Sequence, residues 1–190
     1  MIAPRRFTEL AAAAAAGLFL LSWVLLHTAW YDDAEIVDIP VYASYGTAVE
    51  DGAVPYRDIR PEYPPGALPA FTVPALLSHD EGGFRDVFEG LMALFGVATV
   101  LLAAVTLRGL RASKARTVGA LALVAAFPLL LGSVVLTRFD LYPAATNATS
   151  AAALQRMRSS LVTGLLSQIQ TRTMICATLS RTAVTAVPVP

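Results

Sequence analysis

The sequence predicts an all-α, polytopic integral membrane protein with three transmembrane helices and a large extracytoplasmic first loop. Three observations carry this reading. Of its 190 residues, 56% are hydrophobic, against about 45–50% in soluble domains. The excess is gathered into three runs of about 20 residues, the length that crosses a hydrocarbon core of roughly 30 Å at a helical rise of ~1.5 Å per residue. All charges but Glu89 lie outside those runs, and they are sorted by sign.

The first run, Leu10 to Ala29 (LAAAAAAGLFLLSWVLLHTA), carries no formal charge. Arg5 and Arg6 precede it as they would in a secretory signal. The run is longer than the ~7–15 residues of a signal core, however, and no small-x-small cleavage site follows, so it reads as a spanning helix. Val87 to Leu107 and Val118 to Thr137 have the same character, with Glu89 near one end of the former and Pro128 inside the latter. A shallow carboxylate reaches the interface or a wet cavity. A proline is absorbed as a kink where neighbouring helices satisfy the freed carbonyl.

Orientation follows from the positive-inside rule. Arg5 and Arg6 precede the first span, and Arg108, Arg111, Lys114 and Arg116 fill the connection 108–116 between the second and third. Both segments are predicted to be cytoplasmic, so that residues 30–84 form the outer loop. That loop holds Asp32, Asp33, Glu35, Asp38, Glu50, Asp51, Asp58, Glu62, Asp80 and Glu81 against only Arg57 and Arg60. Arginine in all but one basic position, with abundant alanine, suits a GC-rich bacterial genome, and the predicted location is the bacterial inner membrane.

Other classes are argued against. With 14 basic and 14 acidic residues there is no net field to attract nucleic acid. The single Cys176 builds neither a disulfide nor a thiolate metal site. His27 and His79 have no second ligand at helical spacing, so neither a metal nor a cofactor is predicted.

The outer loop, about 55 residues, is too long to be a bare connection. Trp30 and Tyr31 stand where aromatic belts anchor a span. Pro40 bars a regular helix from passing through it but suits the first turn of one, which puts Asp38 beside a helix N-terminus near the bilayer surface. A turn at Glu50 to Gly52 closes that element. The second half, PYRDIRPEYPPGALPAF, is stiffened by prolines. Its apolar end, Ala67 to Leu77, is too short to span and is interrupted by Pro69 and Pro74, so it is expected to lie in the interface or to re-enter a cavity between other helices.

The order of VDIPVYASYG, GAVPYRD at Gly52 to Asp58, EYPPGALP at Glu62 to Pro69, two spans and RFDLYPA at Arg138 to Ala144 resembles bacterial membrane glycosyltransferases of the GT-C fold, family 87, the mannosyltransferase-like enzymes. The resemblance covers the N-terminal part of that fold, and residues 1–144 here. It implies transfer of a mannose-like sugar from a polyprenyl-phosphate donor in the membrane lipid to an acceptor at the outer face, with inversion. It also implies Asp38 as general base for the acceptor hydroxyl, with Asp32 and Asp33 as the alternative acids. By the same resemblance Arg57 and Arg60 pair with the donor phosphate, Tyr56 and Tyr63 stack on sugar or polyprenyl, and Arg138 and Asp140 close the pocket. The competing reading of the charged residues is local ion pairing, Arg57 with Asp58 or Glu62 and Arg138 with Asp140. At the level of the whole chain, the competing reading is a small non-catalytic membrane protein that binds or scaffolds a partner.

Residues 145–190 are atypical. No acid follows Asp140, and Leu161 to Leu179 is too polar to span. The expectation is that this tail is read in a shifted frame and that the chain is an N-terminal portion of the enzyme. The alternative is a basic amphipathic tail lying on a membrane surface.

Overall fold

The computed structural model describes residues 4–28, 38–78, 80–155, 157 and 160. Trp30, Tyr31, Asp32, Asp33, His79 and residues 161–190 lie outside the described residues. The regular structure of the described residues is all helix, without a strand, in the order α1 (Pro4–Leu25), α2 (Ile39–Glu50), a 3₁₀ turn (Pro65–Ala67), α3 (Leu68–Leu77), α4 (Glu81–Gly109), α5 (Lys114–Leu131) and α6 (Val134–Thr137). A further helical stretch covers 141–155. The first of two compact units ends at Ala152. Of the second, only a few helical residues are described.

Among the described residues, three helices are long and apolar enough to cross a membrane: Arg6–Leu25, Glu81–Gly109 and Lys114–Leu131. α1 opens at Pro4, whose missing N–H is harmless in a first turn, and continues through an alanine run of high helix propensity. Buried Ala12, Ala15, Phe19 and Trp23 of α1, with Leu26 just beyond it, recur at three- and four-residue spacing, the stripe of one helix face. The buried stripe of α4, Phe84, Phe88, Met92, Gly96, Val100 and Ala104, recurs every four residues. On the outward faces Leu20, Leu21 and Val24 of α1, Leu94 and Leu101 of α4, and Leu123, Phe127 and Leu130 of α5 are exposed.

Helix ends follow local chemistry. Asp80 caps α4 by accepting from Gly83 N–H at 2.7 Å, and Ser113 caps α5 by accepting from Arg116 N–H at 3.4 Å. The third apolar run departs from the expected 118–137. α5 stops at Leu131 because Gly132 turns to φ +68°, a conformation that glycine adopts without penalty. α6 then resumes for four residues. Pro128 lies buried within α5.

α2 and α3 form a cap at the end of α4 that carries Phe84 and Phe88. α2 begins at Ile39 with Pro40 in its first turn, as predicted. α3 differs from expectation. The prolines do not interrupt 68–77: Pro69 sits in the first turn, where no helix hydrogen bond is lost, and Pro74 is buried inside the helix. α3 packs on α2 and α4 with Ala70, Phe71 and Ala75 inside. Gly46 permits this. A Cβ there would overlap the Phe71 carbonyl oxygen and stand 2.9 Å from Ala75 Cβ, so α2 and α3 meet backbone to backbone. Gly96 plays the same part between α4 and α1, where a Cβ would enter the Phe19 ring.

Replacing Gly46 by Val is therefore expected to destabilise the cap by at least about 2 kcal/mol, because the opposing group is backbone and cannot rotate away. Gly66→Ala, with open space around its Cα, is the matched control. Thermal unfolding in detergent with near-ultraviolet circular dichroism reads the difference, and equal melting of the two variants counts against the close approach.

Candidate functional site

The cap brings residues from four segments around one ring. Tyr42, fully buried on α2, stacks on Phe71 at 4.5 Å with the planes 9° apart. It meets Phe88 at 5.4 Å, Tyr63 at 5.6 Å and Phe139 at 5.9 Å. Tyr63 and Phe139 also touch each other edge to face at 5.0 Å. Burial pushes the Tyr42 phenol far above its ordinary pKa, reinforced by Tyr63 and then by the Asp38 carboxylate. Tyr42 is thus a neutral donor across the physiological range.

Its hydroxyl donates to Asp38 Oδ2 at 3.3 Å, one helical turn back. Asp38 stands at the N-cap position of α2 but makes no side-chain cap. Instead its Oδ2 lies 3.2 Å from Arg138 Nε, with the two side chains 27% and 42% exposed. This is an ion pair by distance. It lacks hydrogen-bond alignment, since the buried Arg138 Nε has no hydrogen-bond partner among the described residues. Arg138 thus faces Asp38, not Asp140, which is exposed and whose carbonyl accepts from Ala144 N–H at the start of the next helical stretch.

The other predicted residues sit on the 51–64 loop. Asp58 organises its tip: Oδ2 accepts from Val54 N–H at 2.8 Å, and the carboxylate takes a forked contact from Arg57, Nε to Oδ1 at 2.9 Å and Nη2 to Oδ2 at 2.8 Å. The Arg57 guanidinium, then the Val54 amide, hold Asp58 below its ordinary carboxylate range, and the same pairing raises Arg57. Arg57 is 71% exposed and its fork is turned to its neighbour. Tyr56 adopts φ +65°, uncommon for a residue with a side chain. Its hydroxyl donates to the Tyr63 carbonyl at 2.6 Å, which ties the loop tip to the aromatic cluster. Arg60 is exposed.

Asp38, Arg138 and Tyr63 are therefore brought to one cluster, with Tyr56 tethered to its edge. Arg57 is paired with its neighbour Asp58, and Arg60 and Asp140 are exposed. The residues that assemble the site, Tyr42, Phe71 and Phe139, escaped sequence reasoning, although Phe139 sits inside the quoted RFD motif. A wider cleft of about 690 Å³ opens on another face of α2 and is bordered by Glu50, Asp51, Asp80 and Glu81. Four carboxylates make it a poor receptor for a phosphate, and Asp38 is not in its wall.

A second polar group joins α1 to α4. Glu89, 8% exposed, accepts from Arg85 Nε at 2.8 Å and contacts His27 Nε2 at 2.8 Å. His27 Nδ1 lies 2.9 Å from the Trp23 carbonyl. A carbonyl and an arginine-paired carboxylate both only accept, so the two ring contacts are satisfied together only by the doubly protonated imidazolium. The His27 pKa is raised accordingly: burial alone lowers it, but the Glu89 and Trp23 acceptors together outweigh that. Among the described residues no group of three His, Cys, Asp or Glu converges as a metal site.

No protein-family model, no curated protein and no solved structure matches the chain.

Because the folded pKa of His27 is raised, its stabilisation is complete below the unfolded value of about 6.5 and is lost as pH rises through the folded value. The melting temperature in detergent is expected to fall over that interval in the native chain and to lose this slope in His27→Gln. An unchanged slope in the variant would show that another group titrates.

Proposed function

We propose that the chain is a multi-pass protein of the bacterial inner membrane, with its N-terminus cytoplasmic and the α2/α3 cap outside, and that the cap is part of a GT-C-like glycosyltransferase site. The three apolar helices with apolar outward faces support insertion. Phe7 and Lys114 meet at one end of the bundle, with Lys114 Nζ 5.2 Å from the ring centre. Arg108 and Arg111 share that end, while the acids of α2 and the 51–64 loop belong to the other. This arrangement agrees with the positive-inside rule.

The observation that carries the catalytic reading is the meeting of Asp38 and Arg138. One hundred positions separate them in the sequence, yet the fold places them 3.2 Å apart. In the proposed reaction Asp38 takes the proton of the acceptor hydroxyl as the sugar leaves a polyprenyl phosphate. Arg138 holds the carboxylate at rest and offers its remaining N–H groups to the departing phosphate. The Tyr42 hydroxyl meets the same oxygen, Oδ2, that faces Arg138, which leaves Oδ1 to accept the proton. The apolar cluster beneath, with Tyr63 at its rim, offers a surface on which a sugar ring stacks.

A second reading is favoured by the same pair. An acid already bound to Arg138 and Tyr42 also serves as a structural clasp, and the chain would then be a non-catalytic binding or scaffold component of the membrane.

Two experiments test these proposals. For orientation, in a Cys176→Ser background, Gly66→Cys is expected to react with an impermeant thiol reagent added to intact cells, whereas Ala112→Cys reacts only after permeabilisation. The reverse pattern overturns the topology. For activity, membranes containing the full chain are assayed for transfer from polyprenyl-phosphate mannose. Asp38→Asn is expected to lower transfer by at least about 100-fold, with the cap still folded by circular dichroism. Transfer that is absent, or indifferent to Asp38, rejects catalysis and favours the clasp.

A further inference from the structure

The end of the bundle opposite the cap holds cations that the catalytic reading does not use. Arg108 closes α4, Arg111 follows it in the turn and Lys114 opens α5. All three line a cavity of about 260 Å³ bounded on the α1 side by Phe7 and Thr8. Arg111 reaches this position through a left-handed residue, φ +52°, with its N–H bonded to the Arg108 carbonyl at 3.0 Å. Lys114 rests over the Phe7 ring, which positions the ammonium without neutralising it. Among the described residues no carboxylate pairs with Arg108, Arg111 or Lys114. Three cations around one cavity without a counter-charge make a receptor for an anion.

A second cavity of about 260 Å³ adjoins the first, and Thr8 and Arg108 belong to both walls. It leads away from the basic end between α1 and α4, over Ala12, Ala13, Leu101 and Ala104. The alanines leave room where larger side chains would fill the seam. Glu9 borders this second cavity and not the cationic one. A cationic chamber opening into an apolar channel matches a molecule with an anionic head and a hydrocarbon tail.

We propose that this is a binding site for an anionic membrane phospholipid, its phosphate in the chamber of Arg108, Arg111 and Lys114 and one acyl chain in the α1/α4 groove. The proposal rests on the membrane insertion argued above and is independent of sugar transfer. A head group held at this point joins the α4–α5 turn to the N-terminal turns of α1, so a lipid of the right charge would brace the basic end of the bundle.

The test uses the full chain reconstituted into nanodiscs of phosphatidylcholine with a minor fraction of phosphatidylglycerol, followed by detergent extraction and native mass spectrometry of the retained lipid. Phosphatidylglycerol is expected to be enriched over its bulk share. The Arg108→Gln/Arg111→Gln variant is expected to lower that enrichment about tenfold, and Arg116→Gln, which removes a neighbouring charge outside both cavities, is expected to leave it unchanged. Ala13→Trp, which fills the groove and leaves every cation in place, is expected to lower it as well. Equal enrichment in the native chain and the double arginine variant overturns the site. Retention that survives Ala13→Trp but is displaced by inorganic phosphate overturns the lipid assignment in favour of a free-anion site. A chain that does not enter the nanodiscs overturns the membrane reading and this site with it, whereas normal incorporation without enrichment overturns the lipid site alone.

Discussion

The burial of the Tyr42 ring is the constraint on which the cap depends. One side chain at zero exposure touches α3 through Phe71, α4 through Phe88, the proline-rich loop through Tyr63 and the segment after α6 through Phe139. Removing such a ring from water contributes on the order of 2–3 kcal/mol, and well-oriented aromatic pairs add about 0.5–1.5 kcal/mol each. The geometry exists because Gly46, one turn further along α2, lets α3 approach to backbone contact. Asp38, one turn earlier, is then delivered to the edge of the cluster, and Phe139 brings Arg138 with it. The position of the candidate carboxylate is thus a consequence of aromatic packing.

The three long helices solve a different problem. Their inward stripes are narrow and rich in small residues, and their outward faces are apolar, an arrangement with no benefit in water. Close approach replaces bulk: Phe19 fills the space above Gly96, and alanines line much of the α1 and α4 faces. The buried charge among the described residues of these helices is Glu89, tolerated because His27 and Arg85 both hold it. A buried carboxylate with one partner removed is costly, by about 3–5 kcal/mol. This group therefore specifies how the ends of α1 and α4 meet more than it adds to net stability.

Much of this architecture was legible in one dimension. Span length, the charge sorting, the start of α2 at Pro40 and the turn at Glu50 to Gly52 follow from hydropathy, proline stereochemistry and turn chemistry, all local properties. The break of the third run at Gly132 was not legible, because hydropathy continues unchanged across it and only the backbone angle marks the end. The α3 helix was misread because two prolines suggest interruption, whereas one sits where it costs nothing and the other is offset by burial against α2 and α4. Among the candidate residues, the local pair Arg57 and Asp58 was foreseen as a structural alternative. The pairing of Arg138 with Asp38 was not, since the nearer Asp140 offered a simpler partner.

What the sequence determined by itself was the three long apolar helices, the start of α2 and the sign of charge at their ends, since helix propensity, apolar length and turn residues act over a few positions. Tertiary structure alone decided which residues meet: Asp38 with Arg138, His27 with Glu89, and the cations of the α4–α5 turn with the first turns of α1. These contacts join segments separated by tens of residues. Their geometry depends on how close two helices come, which is set by glycines and alanines at the crossing points. No periodicity or composition records that distance.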